Sequence, residues 1–89
     1  MYVDIFVAGI RQWYEFKCEE KAVIRSLIRE IYNIICELET VNDEKFIESQ
    51  FEEFEKELCL ACIDSKQILN KNMTLEECGV ENGNRLILF

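Results

Sequence analysis

The side chains best suited to chemistry in this chain are its five cysteines, because the sequence contains no histidine. Cys59 and Cys62 are spaced as C-x-x-C, which supplies half of many zinc sites and the reactive centre of many redox proteins. On a strand, however, residues three apart point to opposite faces. The other three, Cys18, Cys36 and Cys78, form no second pair, and their irregular spacing favours reduced thiols over a disulfide framework. We therefore expect the cysteines to act as small buried hydrophobic residues. The alternative function is a thiol-based carrier or a metal or redox protein that uses Cys59 and Cys62.

The acidic residues do not suggest a catalytic site. General acid–base catalysis without histidine needs carboxylates with raised pKa values in a cleft. Most glutamates here fall on helix faces that the hydrophobic periodicity predicts to be exposed. A nucleophilic cysteine would also need a base beside it, and the sequence offers no candidate. We therefore expect no enzyme activity, no cofactor and no metal site.

The strands and the helix that would position these residues are predicted from the spacing of apolar residues, which changes along the chain from every second residue to every 3.6 residues. Alternation over 2–7 predicts a strand, and aromatic residues over 12–17 predict a second strand after a turn at 8–11. In one register Tyr14 and Phe16 point inward and Trp13 outward, whereas a shifted register reverses them. From about Glu20 the period becomes 3.6, which predicts a long helix with Glu19 and Glu20 in its first turn. The apolar stripe of this helix is Val23, Ile24, Leu27, Ile28, Ile31, Ile34, Ile35 and Leu38.

Residues 37–57 are predicted to form a helical insertion before the third strand. Asn42 or Asp43 can cap a second helix, which presents apolar residues on one face and glutamates on the other. This segment contains nine acidic and two basic residues, a net charge of −7 within a chain whose formal charge is −8. The apolar face comprises Phe46, Ile47, Phe51, Phe54 and Leu58.

The last stretch, from Leu69 to Phe89, carries the most specific local signals. Thr74 and Glu77 have the spacing of a capping box, and Gly79 is placed to end the turn in the left-handed conformation. After the Asn82-Gly83 turn, the apolar run 85–89 predicts a central strand of a sheet. Short strands are expected before this motif, at 58–63 and 67–69.

This closing motif resembles ubiquitin-like β-grasp domains. The resemblance rests on Leu69, Thr74-Leu75, Gly79-Val80, Gly83 and Leu86-x-Leu88, and the run ECGVENGNRLILF is most similar to the small YukD/EsaB-type proteins of type VII secretion systems in Gram-positive bacteria. It implies an α+β fold, a mixed sheet packed on one long helix in a single domain over 1–89. It also implies a non-catalytic protein-interaction module, an accessory or regulatory component of such a system. Ubiquitin and related sulfur carriers end in a Gly-Gly tail, whereas this sequence ends at Phe89, so C-terminal conjugation is not expected.

Composition limits the classes of partner. With 18 acidic and 10 basic residues, the chain would repel the phosphate groups of nucleic acids and of anionic lipids. No apolar run approaches the roughly 20 residues that a membrane span requires, and the sequence opens without a basic region followed by an apolar one. We therefore expect a cytoplasmic protein that neither binds nucleic acid nor inserts into a membrane.

Strand parity then predicts a protein-binding surface on the outer face of the sheet. The resemblance adds that Ile63 and Phe89 fall where ubiquitin carries two residues of its main partner-binding patch. We expect either a protein partner or a homodimer on this face, because large apolar residues exposed together usually mark an interface. The alternative is that the inserted helix covers the face. The predicted protein-binding residues are Phe6, Trp13, Ile63, Ile87 and Phe89.

Overall fold

The computed structural model describes residues 1–39 and 58–89 as five strands and one helix. The strands and the helix are, in chain order, β1 (Tyr2–Val7), β2 (Gln12–Lys17), α1 (Ile24–Glu39), β3 (Leu60–Cys62), β4 (Gln67–Ile68) and β5 (Arg85–Leu88). The predicted acidic helix at 43–57 lies outside the described residues. Residues 37–39, which the sequence assigned to the insertion, belong to α1.

The five strands form one mixed sheet in the order β2-β1-β5-β3-β4. The pair β1–β5 is parallel, and the other three pairs are antiparallel. The last strand therefore lies in the middle of the sheet, as its apolar composition predicted. The edges are β2, with six residues, and β4, with two.

The core lies between one face of this sheet and α1. Period-2 alternation directs every second residue of β1, β3 and β5 to the helix side, and the helix contributes residues at 3.6 spacing. Tyr14 and Phe16 pack against the core from the same side, which confirms the inward register for β2. The most buried side chains are Val3, Ile5, Ile24, Ile28, Ile31, Leu60, Cys62, Leu75 and Leu86.

The start of α1 differs from the sequence prediction. The helix begins at Ile24 and has no acidic residue in its first turn, so the placement of Glu19 and Glu20 there is wrong. The reason is a tertiary contact, because carbonyl groups of the loop before Thr74 accept hydrogen bonds from the first N–H groups of α1. The N–H of Ile24 donates to the carbonyl of Met73 at 2.8 Å, and the N–H of Arg25 donates to that of Lys71 at 3.0 Å. Helix donors satisfied by a neighbouring loop need no charged first turn.

Two strands are shorter than predicted, while the closing turn is as predicted. β3 covers 60–62 rather than 58–63, and β4 ends at Ile68. Thr74 and Glu77 form the reciprocal capping box, with backbone to side-chain distances of 2.9 and 3.0 Å. Gly79 has a φ of +77°, and the N–H of Val80 donates to the carbonyl of Leu75 at 3.0 Å. These contacts form a Schellman motif that fixes the entry into β5.

Candidate protein-binding face

An apolar row crosses the whole sheet on the face opposite α1. The strand register places Trp13 beside Phe6, Phe6 beside Ile87, Ile87 beside Ala61, and Ala61 beside Ile68. Side chains that are directly paired across strands point to the same face. With strands about 4.8 Å apart, the row extends about 19 Å across five strands. We refer to these five residues as the outer row.

The ends of the outer row are the most exposed. Trp13 is 51% exposed and Ile68 is 68% exposed, while Phe6, Ile87 and Ala61 between them are partly buried. The rings of Phe6 and Trp13 contact each other, with centroids 5.2 Å apart and planes inclined at 49°. A tilted contact of this kind is a favourable aromatic arrangement, so the two rings form one apolar surface at this end of the row.

The structure brings together three of the predicted protein-binding residues and separates the other two. Phe6, Trp13 and Ile87 are neighbours in the outer row. Phe89 is 47% exposed and lies two residues beyond Ile87 on the same face. Ile63 lies on the other side of the row, because its N–H donates to the carbonyl of Arg85 at 2.8 Å. Ile63 and Phe89 therefore lie on opposite sides of the row, four residue positions apart along the strand direction, which is about 13 Å.

A charged contact borders the row on the side of Ile63. Asp64 accepts a hydrogen bond from the backbone N–H of Arg85 at 2.6 Å, and its other carboxylate oxygen lies 3.0 Å from the Arg85 guanidinium. The backbone hydrogen bond, followed by the side-chain hydrogen bond, lowers the pKa of Asp64. Both side chains face solvent, so this pair fixes the end of β3 against β5 more than it adds stability.

The sequence interpretation missed two exposed members of this face, Ile68 and Tyr2. Ile68 ends the outer row, and Tyr2, which is 48% exposed, pairs with Lys17. The available signal was alternation, because Leu69 is buried in the core and its neighbour Ile68 must then point to the opposite face. The sequence pattern alone did not reveal this, since β4 has only two residues and shows no alternation of its own.

Among the four cysteines whose side chains the structure describes, the C-x-x-C residues do not form a paired thiol site. Cys62 is 1% exposed in the core, whereas Cys59 exchanges two backbone hydrogen bonds with Phe89 and has the opposite strand parity. The C-x-x-C pair is thus split between the two faces of the sheet. Cys18 lies at the base of an open cleft between β2 and α1, and burial, followed by Glu30, raises the pKa of its thiol. A raised pKa lowers the fraction of nucleophilic thiolate.

No cluster of three or more metal-binding side chains occurs within the two described ranges. The helix that the structure describes is also not long and apolar enough to cross a bilayer.

Comparison with known proteins gives structural matches only. No protein-family model and no curated protein sequence matches the chain. Among solved structures, the ubiquitin-like domain of the Arabidopsis thaliana protein At2g32350 matches with a TM-score of 0.67 and 14% identity, over 100% of this chain and 74% of that one. The N-terminal ubiquitin-like domain of the 4931431F19Rik protein matches with a TM-score of 0.66 and 16% identity, over 100% and 72%. A de novo protein designed from ubiquitin gives 0.64 and 15%, over 100% and 85%. The strand order, the single described helix and these similarities show that the chain has a ubiquitin-like β-grasp fold.

Proposed function

We propose that this protein is a non-catalytic interaction module that binds a partner protein through the outer row. The observation that carries the proposal is the continuous apolar strip across all five strands, with its most exposed residues, Trp13 and Ile68, at the two ends. Exposed apolar residues that are contiguous rather than scattered are typical of interaction sites. The ubiquitin-like fold supports the same conclusion, because α1 packs on the other face of the sheet and no helix or strand of residues 1–39 and 58–89 packs on the outer face.

The chemistry of the row indicates the kind of partner surface. Trp13 and Phe6 form a tilted aromatic pair, and exposed aromatic residues often contribute much of the binding energy at protein interfaces. The neighbouring charged residues on the same face include Asp4, Glu15 and Arg85, of which Arg85 is paired with Asp64. The partner should therefore present an apolar patch about 19 Å long to the row itself.

A more specific role follows from the resemblance of the closing motif. We propose that the protein acts in the cytoplasm as an accessory or regulatory component of a bacterial type VII secretion system. The support is the run from Glu77 to Phe89 and its Schellman turn at Gly79. The genes beside this one should then encode other components of such a system. Neighbouring genes with no secretion component would contradict this role and leave the general binding function unaffected.

The binding function is tested with two substitutions at the ends of the row. Trp13→Ala and Ile68→Asp should each weaken binding of the purified partner about tenfold or more in calorimetry, since each removes an exposed apolar contact at the interface. Candidate partners are the cytoplasmic proteins encoded by the neighbouring genes. The matched control is Ile10→Asp, because Ile10 is also exposed but lies in the β1–β2 turn outside the row.

The results show whether the partner binds the outer row or another part of the surface. Loss of binding in Trp13→Ala and Ile68→Asp, with retention in Ile10→Asp, supports the proposal. Equal binding by all three variants would show that the partner uses another surface. Circular dichroism of each variant confirms that the loss does not come from unfolding.

A further inference from the structure

The edge strand β2 presents a second surface, distinct from the outer row. β2 is the longer of the two sheet edges, and among the described residues it pairs with β1 alone. The other edge, β4, has only two residues. Short edge strands are protected from further pairing, whereas a six-residue edge can accept another strand.

The hydrogen-bonding groups of this edge can be assigned from the ladder with β1. Met1 and Cys18 exchange two backbone hydrogen bonds, of 2.7 and 2.8 Å, immediately beyond the end of the register. Hydrogen-bonded and non-hydrogen-bonded pairs alternate in an antiparallel ladder. The N–H and C=O groups of Trp13, Glu15 and Lys17 therefore point away from β1, toward the open edge.

The charges along this edge favour one register for a second copy of the same strand. In an antiparallel pairing centred on Phe16, Glu15 of each copy lies opposite Lys17 of the other. Shifting the centre to Glu15 places two Glu15 side chains opposite each other, and shifting it to Lys17 does the same for the lysines. A centre at Tyr14 places Lys17 opposite Arg11. Opposite charges directly across a ladder stabilise pairing, and like charges destabilise it.

We propose that this protein forms a symmetric dimer by antiparallel pairing of β2 with β2 across a twofold axis at Phe16. The pairing adds four backbone hydrogen bonds and two Glu15–Lys17 contacts, and it joins the two sheets into one of ten strands. The Phe16 side chains meet on the helix side as a closely spaced non-hydrogen-bonded pair, where aromatic pairs are favourable. Phe16 is half-buried and packs against its own core, so its position is already fixed before association.

This dimer leaves both outer rows accessible. The axis at Phe16 offsets the two Trp13 residues along the strands, so each copy presents its own row on the same side of the joined sheet. The dimer would thus offer two equivalent binding faces to a partner, and two linked faces increase avidity when both can engage together. The inference concerns a different surface from the proposed partner-binding face, and either can fail without the other.

The test uses charge reversals that break and restore the register. Glu15→Lys alone places lysine against lysine twice, and Lys17→Glu alone places glutamate against glutamate twice. Each single variant should raise the dimer dissociation constant roughly tenfold to hundredfold in sedimentation equilibrium. The double variant Glu15→Lys with Lys17→Glu restores opposite charges at both positions and should dimerise like the wild type. An equimolar mixture of the two single variants should also associate, because each lysine-bearing edge then meets a glutamate-bearing edge.

A net-charge effect predicts the opposite result for one of these variants. Glu15→Lys makes the chain, whose formal charge is −8, less negative, so general repulsion between copies would fall and association would strengthen. The register predicts weaker association. Glu76→Lys is the matched control, because Glu76 is an exposed glutamate outside the strands and gives the same change of net charge.

Several results would overturn the proposal. The first is a wild type that stays monomeric up to about 1 mM. Single reversals that associate like the wild type, or a mixture that associates no better than each single variant, would also contradict the register. Ile68→Asp must leave the dimer intact, since a dimer that it dissociates uses the outer row instead. Amide proton exchange of Glu15 and Lys17 provides a second measurement, because both amides should become protected as the protein concentration rises.

Discussion

The conformation of Gly79 leads to a prediction that separates backbone strain from steric contact. Gly79 has a φ of +77°, in the left-handed region, and a Cβ added there would meet nothing within 4 Å. Gly9 also has open space around an added Cβ, but it lies outside the left-handed region. The two glycines therefore differ in backbone conformation and not in available room.

From this difference we expect Gly79→Ala to destabilise the protein by about 1 to 2 kcal/mol, the cost of holding an L-residue in the left-handed region. A domain of this size has a total stability of roughly 5 to 13 kcal/mol, so the loss is a substantial fraction. Gly79→Asn should cost less, because asparagine adopts this conformation more readily. Gly9→Ala should be neutral or stabilising by up to about 1 kcal/mol, because alanine reduces the entropy of the unfolded chain.

The assay is urea unfolding followed by circular dichroism. With a urea dependence of about 1 kcal/mol per molar, Gly79→Ala should lower the midpoint by about 1 to 2 M, and Gly79→Asn should lie between it and the wild type. Equal midpoints for Gly79→Ala and Gly9→Ala would refute the reasoning. An asparagine variant no better than alanine would show that the loss does not come from the left-handed conformation.

Two further predictions concern the Thr74–Glu77 capping box and the contact between Asp64 and Arg85. Thr74→Ala and Glu77→Ala should each lower the unfolding free energy by about 0.5 to 2 kcal/mol, and a double variant that loses less than their sum would confirm the reciprocal capping box. Strictly additive losses would show that the two hydrogen bonds act independently. Asp64 has a lowered pKa in the folded state, so its contribution should be fully present above the ordinary aspartate pKa of about 3.9 and lost as the pH falls through the lowered value. The difference in stability between the wild type and Asp64→Asn, measured by thermal unfolding at low salt from pH 7 to pH 2, should therefore shrink on acidification, and a constant difference would contradict the role of this charge.

Local chemistry made the closing turn predictable from the sequence. The spacing of Thr74 and Glu77 identified the capping box, and Gly79 identified the left-handed residue that ends the turn. Both features depend on residues within one turn of the chain, so no distant contact is needed to establish them. Strand parity likewise placed Phe6 and Ile87 on the outer face, whereas the face of Trp13 stayed open until the register of β2 was known.

The errors arose where a distant segment decides the local outcome. The start of α1 depends on carbonyl groups of Lys71 and Met73, more than forty residues away in sequence, which accept the first helix donors. Neither residue carries a signal that predicts this contact. Acidic residues at 19–20 therefore resembled a helix start although the helix begins at Ile24.

The sequence by itself determined the face on which each strand residue lies, and the tertiary structure decided which residues are neighbours there. Side-chain alternation is a property of one strand, so Ile63, Ile87 and Phe89 could be placed on the outer face without knowing the sheet. Their arrangement depends on register and strand order, which separate Ile63 from Phe89 and bring Ile68 into line with Trp13. Register is fixed by pairing between segments far apart in the chain, and the same pairing leaves β2 at an edge of the sheet formed by the described strands.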